Sequence, residues 1–260
     1  MSNASVPVWN PSQYLGFADY RLRPAIDLIS QMSVERPGTI YDLGCGAGNV
    51  TKVLQERWPL ARIFGVDNSA EMLKVARAKV VGVEFLDKDL FNWAPPEPAD
   101  ILFSNAALHW LGDHETLFPR LVSWLKPGGT LAIQMPRNHM APSHTLISDS
   151  AGAGPWREKL TPIPGPRNVG APEDYYSLLA PLLGGLRIWE TEYLQVLTGE
   201  NPVVEWTKGT TLVPILSLLD EPDRSAFLAD YSARIRRAYP PCADGKTLFP
   251  FRRLFIVGSH

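Results

Sequence analysis

The residues most able to do chemistry in this chain form a glycine-rich turn, Asp42-Leu43-Gly44-Cys45-Gly46-Ala47-Gly48. Between a strand and a helix, such a turn lets the backbone approach a ligand closely and presents free N–H groups at the helix start. A second carboxylate, Asp67, ends the next predicted strand nineteen residues after Gly48, where a carboxylate accepts hydrogen bonds from ribose hydroxyls. Together these features predict a cofactor that contains adenosine.

The spacing within the turn discriminates between two such cofactors, NAD and S-adenosylmethionine (SAM). Dinucleotide-binding turns follow Gly-x-Gly-x-x-Gly with a pyrophosphate at the helix end, whereas this chain has Gly44-x-Gly46-x-Gly48. Asp42, two positions before the first glycine, would repel a pyrophosphate but attract the ammonium and sulfonium groups of SAM. We therefore expect SAM, with NAD and a purely structural tight turn as the alternatives. Cys45 as a nucleophile is disfavoured because no basic partner lies nearby in sequence.

The elements that must position these residues alternate between strand and helix. Helices are predicted at 25–32, opened by Pro24, and at 49–58, 70–79 and 114–124, with Ser69 and Asp113 capping the last two. Predicted strands cover 39–43, 62–67, 82–86, 100–104, 130–134, 188–197 and 254–257, and further helical material lies within 203–238. This alternation requires crossovers and hence a parallel sheet with helices on both faces. The Pro/Gly-rich stretch 136–172 is expected to be irregular.

Composition and charge exclude several classes of protein. The chain has 260 residues, of which 45% are hydrophobic and 20% charged, as expected for a globular protein. Its net charge of −2 gives no electrostatic reason to expect a nucleic-acid partner. No apolar run approaches 18 residues and the first residues lack the order of a signal peptide. Cys45 and Cys242 provide no disulfide framework. We expect a cytoplasmic protein without membrane contact; the oligomeric state is not readable from the sequence.

Four motifs resemble those of the class I SAM-dependent methyltransferases. They are the turn Asp42 to Gly48, the acidic strand end Gly65-Val66-Asp67, the adenine motif Asp87-Lys88-Asp89-Leu90, and the turn Lys126-Pro127-Gly128-Gly129-Thr130-Leu131 into the fifth strand. The resemblance implies an α/β, Rossmann-like fold with a seven-stranded sheet of order 3-2-1-4-5-7-6, strand 7 antiparallel. It also implies a single methyltransferase domain over 1–260. The expected core covers about 24–136, 186–198 and 252–258, and a substrate cap is expected from about 1–23, 137–185 and 200–240.

The resemblance also implies which residues bind the cofactor. Asp89 is expected to accept a hydrogen bond from the adenine amine, with the Leu90 N–H facing a ring nitrogen. Trp9 and Tyr14 are expected either to cover the methionine end of SAM or to pack in the core. The full expected set is Tyr14, Asp42, Gly44, Cys45, Gly46, Gly48, Asp67, Asn68, Ser69, Met72, Asp89, Leu90 and Asn105.

A narrower resemblance, to a carboxyl-methylating branch of the family, covers nearly the whole chain. It rests on Trp9-Asn10-Pro11-Ser12-x-Tyr14, Arg21-x-Arg23-Pro24, Ser104-Asn105-Ala106-x-Leu108-x-Trp110-Leu111, Gln134-Met135-Pro136 and Arg253-Leu254-Phe255-Ile256-Val257. The chain departs from that branch at His109, where glutamine is usual, and at Arg137-Asn138-His139. The implied reaction esterifies a carboxylate of trans-aconitate or a similar small tricarboxylate and leaves S-adenosylhomocysteine. The alternatives are another small-molecule or malonyl-thioester methyltransferase and a non-catalytic SAM-binding module.

A polycarboxylate must be held by arginines and backbone N–H groups, because an unpaired buried carboxylate is costly. The expected substrate-binding residues are Arg21, His109, Trp110, Arg137 and Arg253, and the wider pool of arginines adds Arg23, Arg157 and Arg167. The segment after Gln134 and the aromatic N-terminus are expected to close over the substrate. No catalytic side chains beyond positioning groups are expected, because a carboxylate acceptor has no proton to remove. Asp113-His114-Glu115 does not have the spacing of a zinc site, so no metal is expected.

Overall fold

The computed structural model describes residues 18–160 and 169–260. Its strands are β1 (Thr39–Leu43), β2 (Arg62–Asp67), β3 (Glu84–Asp87), β4 (Ala99–Asn105), β5 (Leu125–Pro136), β6 (Gly184–Leu197) and β7 (Thr247–Ser259). Its helices are α1 (Ala18–Ser30), α2 (Asn49–Arg57), α3 (Ala70–Lys79), α4 (His114–Val122), α5 (Pro142–Ala153), α6 (Arg157–Leu160), α7 (Pro172–Leu179), α8 (Pro202–Lys208), α9 (Val213–Leu216) and α10 (Asp223–Ala238). A short 3₁₀ helix, Leu108–Trp110, follows β4.

The strands form one seven-stranded sheet of order β3-β2-β1-β4-β5-β7-β6. β1 pairs in parallel with β2 and β4, and β4 pairs in parallel with β5. β7 runs antiparallel to β5, from Thr130 opposite Ser259 to Pro136 opposite Arg253. The predicted fold class is confirmed. Because β1, β2, β4 and β5 run in the same direction, their carboxyl ends lie along one edge of the sheet, where open α/β sheets bind ligands.

The described chain divides into two compact units. A sheet unit comprises residues 19–136, 169–191 and 252–260, and a helical unit comprises residue 18 with 137–160 and 192–251. In the sheet unit, apolar residues of alternate strand positions pack against α4 and α7, among them Leu43, Leu102 and Ile133. The helical unit has its own core, in which Trp156 packs edge-on against Phe227 at 5.7 Å. Each unit therefore buries apolar surface of its own.

Two predictions about helices are wrong. Helix α1 begins at Ala18, so Pro24 lies inside the helix rather than at its start. Burial of Ala25, Leu28 and Ile29 along one helix face offsets the hydrogen bond that a proline removes. The stretch predicted as irregular contains α5 and α6. Their apolar residues are too sparse to give a helical period in sequence, and packing within the helical unit stabilises them.

Candidate active site

The three glycines of the turn after β1 have different structural requirements. All have positive φ, 75° at Gly44, 53° at Gly46 and 78° at Gly48. A Cβ on Gly44 would lie 2.1 Å from the Ala107 Cβ, and one on Gly48 would lie 3.1 Å from the Ala76 Cβ. A Cβ on Gly46 would meet no atom of the described residues within 4 Å. Gly44 and Gly48 are therefore needed for packing inside the protein, whereas the described residues leave space beside Gly46 that a ligand can occupy.

Asp67 holds the glycine turn from the end of β2. Its Oδ2 accepts the Gly46 N–H at 2.8 Å, and its Oδ1 accepts the Ser69 N–H at 2.9 Å. Burial raises the pKa of this carboxyl group, while the backbone donors oppose that rise. Two carboxylate oxygens offer about four lone pairs, so the ribose hydroxyls can still be accepted. The Ser69 Oγ accepts the Met72 N–H at 3.3 Å, which confirms Ser69 as the cap of α3.

Asp42 lies beneath the turn and is 1% exposed. Its Oδ2 accepts a hydrogen bond of 2.6 Å from the Thr51 hydroxyl in the first turn of α2. Burial raises the pKa of Asp42 to about 7, and the Thr51 hydrogen bond opposes that rise. A cation bound beside Asp42 would favour the ionised carboxylate. Sequence reasoning missed Thr51, although a threonine at the third position of α2 is within reach of Asp42 across the glycine turn.

The adenine motif is held in place by a residue from α4. The Asp89 Oδ1 accepts the Phe91 N–H at 2.9 Å, which forms a local turn. Arg120 donates to the carbonyl oxygens of Leu90 at 2.7 Å and Phe91 at 2.6 Å. Because a guanidinium fixes both carbonyls in one geometry, Arg120 orients the backbone on which the Leu90 N–H depends. Sequence reasoning also missed Arg120, since the contact joins positions thirty residues apart.

Four polar side chains form a row on one face of the sheet at its ligand-binding edge. Asp42 pairs with Phe103, and Asn105, two residues further along β4, pairs with Gln134. Gln134 pairs with Phe255, and Arg253 lies two residues away on β7. Because paired residues and i, i+2 residues share a face, Asp42, Asn105, Gln134 and Arg253 project from the same face. The row spans three strand spacings, roughly 14 Å, with a carboxylate at one end and a guanidinium at the other.

The chain after β4 turns sharply next to this row. Ala106 has φ 54°, which is uncommon for a residue with a side chain, and its N–H donates to the Gln134 carbonyl at 2.9 Å. The following 3₁₀ helix carries His109 and Trp110, whose rings lie 4.7 Å apart. Trp110 is 47% exposed. The structure therefore brings Asn105, Gln134 and the predicted contacts His109 and Trp110 to the ligand-binding edge.

The remaining predicted substrate contacts are not among the four residues of the row on the sheet face. Trp9, Tyr14, Arg167 and the side chain of Arg21 lie outside the described residues. Arg137 belongs to the helical unit, Arg157 is exposed there at the start of α6, and Arg23 forms an exposed pair with Asp27 at 2.9 Å.

In the sheet unit, the predicted cofactor contacts Asn68 and Asp89 are exposed, whereas Met72 and Leu90 are buried. Burial and the charges of Asp42 and Asp67 raise the pKa of the Cys45 thiol, which favours the neutral form. Asp113 accepts the Thr116 N–H, which confirms it as the cap of α4.

The arrangement suits SAM chemically, because Asp42 offers a carboxylate to its cationic end and the described residues leave space beside Gly46. Comparison with known proteins agrees with this assignment. The family described as a methyltransferase domain matches residues 40–129. The YcgJ protein of Bacillus subtilis is similar in structure, with a TM-score of 0.61 at 15% identity over 92% of this chain and 98% of that one. A phosphoethanolamine N-methyltransferase of Haemonchus contortus, crystallised with S-adenosylhomocysteine, gives a TM-score of 0.54 at 15% identity over 91% of this chain and 52% of that one.

The fold and the site define a class I methyltransferase that depends on SAM. Among curated sequences, the trans-aconitate 2-methyltransferase of Azoarcus sp. (strain BH72) is 48% identical over 97% of this chain and 99% of that one. The protein of the same name from Rhodopseudomonas palustris (strain BisB18) is 46% identical over 96% of this chain and 98% of that one. The chain belongs to the trans-aconitate 2-methyltransferase family. No helix within 18–160 and 169–260 is long and apolar enough to cross a membrane.

Proposed function

We propose that this protein transfers the SAM methyl group to a carboxylate oxygen of trans-aconitate or a closely similar small tricarboxylate. The observation that carries the proposal is the row on the sheet face, with Asp42 at one end and Arg253 at the other. Asp42 suits the cationic end of SAM, and Arg253 suits an anionic acceptor. The relatives named for the same reaction support the choice of acceptor.

The proposed reaction needs alignment rather than proton transfer. SAM supplies a methyl group on a positively charged sulfur. The acceptor oxygen forms a bond to the methyl carbon as the carbon–sulfur bond breaks, which leaves a methyl ester and the neutral thioether. No proton moves, so His109 is not required as a general base. Asp42, Gly46, Asp67 and Asn105 hold the methyl donor, while the residues of β5 and β7 direct the acceptor toward it.

The experiment that tests this function is SAM turnover against a panel of acceptors. The panel contains trans-aconitate, citrate, simple dicarboxylates and a malonyl thioester, with S-adenosylhomocysteine release as the rate and mass spectrometry of the ester as the product assay. We expect the highest kcat/KM for trans-aconitate. Preference for the thioester would favour a carrier-bound acceptor, and tight SAM binding without turnover of any acceptor would favour a non-catalytic module.

We also propose a cytoplasmic location. Cys45 and Cys242 are both free thiols, as proteins of a reducing compartment keep them. Recovery of the native protein in the soluble cytoplasmic fraction after cell lysis is the expected result, and recovery with the periplasmic or membrane fraction would contradict it.

A further inference from the structure

A buried amide at the junction of the cofactor and acceptor ends of the row has no assigned role. Gln134 lies two residues before the end of β5 and is 0% exposed. Its Oε1 accepts a hydrogen bond from Arg253 Nη1 at 3.2 Å. An arginine has donors and no acceptor, so this contact fixes the orientation of the amide. The Nε2 group of Gln134 must therefore point away from Arg253.

That Nε2 group has no hydrogen-bond partner among the described residues. The neighbouring Asn105, which pairs with Gln134 across the sheet, likewise has an Oδ1 without a partner within 18–160 and 169–260. A buried polar atom without a partner is costly and rare. The two atoms differ in kind, because the Gln134 amide nitrogen only donates and the Asn105 oxygen only accepts.

The two atoms match different ligands at this edge of the sheet. The Asn105 Oδ1 atom on β4, near Asp42 on β1, can accept a hydrogen bond and suits the ammonium group of SAM. The Gln134 Nε2 group on β5, oriented by Arg253 on β7, can donate one and suits a carboxylate. We propose that the Gln134 Nε2 group binds a carboxylate of the acceptor and thereby selects polycarboxylates, an inference that rests on the proposed function.

Burial strengthens this contact. Gln134 is shielded from water, so a carboxylate that binds there displaces no solvent hydrogen bond from the amide. A hydrogen bond that satisfies a buried orphan donor to a charged group contributes more than one that replaces water. The Arg253 guanidinium holds the Oε1 side of the amide, so the Nε2 donor stays directed away from that cation and available to a carboxylate.

The test compares Gln134→Glu with the wild-type enzyme in steady-state kinetics. Glutamate keeps the shape and the acceptor for Arg253, but it removes the Nε2 donor and adds a negative charge. We expect KM for trans-aconitate to rise roughly 10- to 150-fold, the loss expected for a hydrogen bond to a charged group, with SAM affinity within twofold of wild type by calorimetry. Gln134→Met removes the donor without adding charge and should give a smaller rise in the same direction.

Ser104→Ala is the matched control. Ser104 is also buried near the end of β4, but its Oγ donates to the Leu43 carbonyl at 2.8 Å on the opposite face of the sheet. Its loss should lower thermal stability without changing KM for the acceptor.

A substrate series separates binding from a merely structural role. Itaconate, glutaconate and mesaconate each lack a different carboxylate of trans-aconitate. For the analogue that lacks the carboxylate bound by Gln134, the KM ratio of Gln134→Glu to wild type should fall to about one, as in a double-mutant cycle. Equal ratios for all four compounds, or an unchanged KM for trans-aconitate, would overturn the inference alone. Absence of turnover by wild type would overturn the proposed function and the inference with it.

Discussion

Replacing Gly46 with alanine separates the cofactor role of the glycine turn from its structural role. Gly46 has φ 53°, and a Cβ built there meets no atom of residues 18–160 and 169–260 within 4 Å. An alanine at positive φ costs about 1–2 kcal/mol, which lowers the Tm of a chain of this size by roughly 2–8 °C. The described residues leave room for the alanine methyl group, so a loss of SAM affinity in this variant must come from a clash between that methyl group and the ligand.

The expected loss of SAM affinity follows from the size of that methyl group. It lies about 1.5 Å beyond the Cα, and carbon atoms in contact stay about 3.5 Å apart. A ligand that rests on the Gly46 backbone must withdraw by a similar distance, beyond the roughly 3.2 Å limit of a good hydrogen bond. Losing one hydrogen bond to a charged group costs about 1.5–3 kcal/mol. We therefore expect the SAM dissociation constant to rise roughly 10- to 150-fold.

Calorimetric titration with SAM and with S-adenosylhomocysteine measures this effect, and Gly128→Ala is the matched control. Gly128 has φ 79°, and its built Cβ likewise meets no described residue within 4 Å, but it lies in an exposed turn of β5 between the paired residues Leu125 and Thr130. Both variants should lose similar thermal stability, and only Gly46→Ala should lose affinity. Normal SAM binding by Gly46→Ala, or an equal loss in Gly128→Ala, would refute the assignment of Gly46 to the ligand.

Four further predictions concern the residues that support the site. Burial raises the pKa of Asp42 to about 7, so the contribution of this residue to the stability of the ligand-free protein is fully present below about pH 4 and is lost as the pH rises through 7. SAM affinity should instead increase as the pH rises through 7, because the ionised carboxylate binds the cation. Calorimetry on Asp42→Asn should show no such increase. Thr51→Val should cost about 1–3 kcal/mol in urea unfolding and move the pH midpoint of SAM binding upward, since the buried 2.6 Å hydrogen bond to Asp42 is lost; an unmoved midpoint would contradict this. Arg120→Met releases the Leu90 and Phe91 carbonyls and should weaken SAM binding several-fold, a result that unchanged calorimetry would disprove. Arg137→Lys and Arg21→Lys should raise KM for trans-aconitate without altering SAM affinity, because lysine lacks the two-pronged geometry; wild-type kinetics in both would remove these arginines from the substrate site.

The cofactor half of the site could be predicted from the sequence because its residues belong to local units. The glycine turn, Asp67 and the Ser69 cap each lie at a strand end or a helix start, and strand–turn–helix patterns are visible within a few residues. The order of the strands followed from a family resemblance carried by these same segments. The roles of the individual glycines could not be predicted, because only the structure places the Ala107 Cβ against Gly44 and keeps the described residues clear of Gly46.

The acceptor half depends on contacts between positions far apart in sequence. The Gln134–Arg253 hydrogen bond joins residues 119 positions apart, and the antiparallel register of β5 and β7 decides that both side chains share a face. A shift of that register by one residue would place Arg253 on the other face. Local sequence patterns carry no information on such a register. The sequence alone therefore predicts which residues bind the methyl donor. The tertiary structure decided which polar side chains lie on the same sheet face as Asp42, because only folding sets strand register and buries the Gln134 amide nitrogen with no partner in the described parts of the chain.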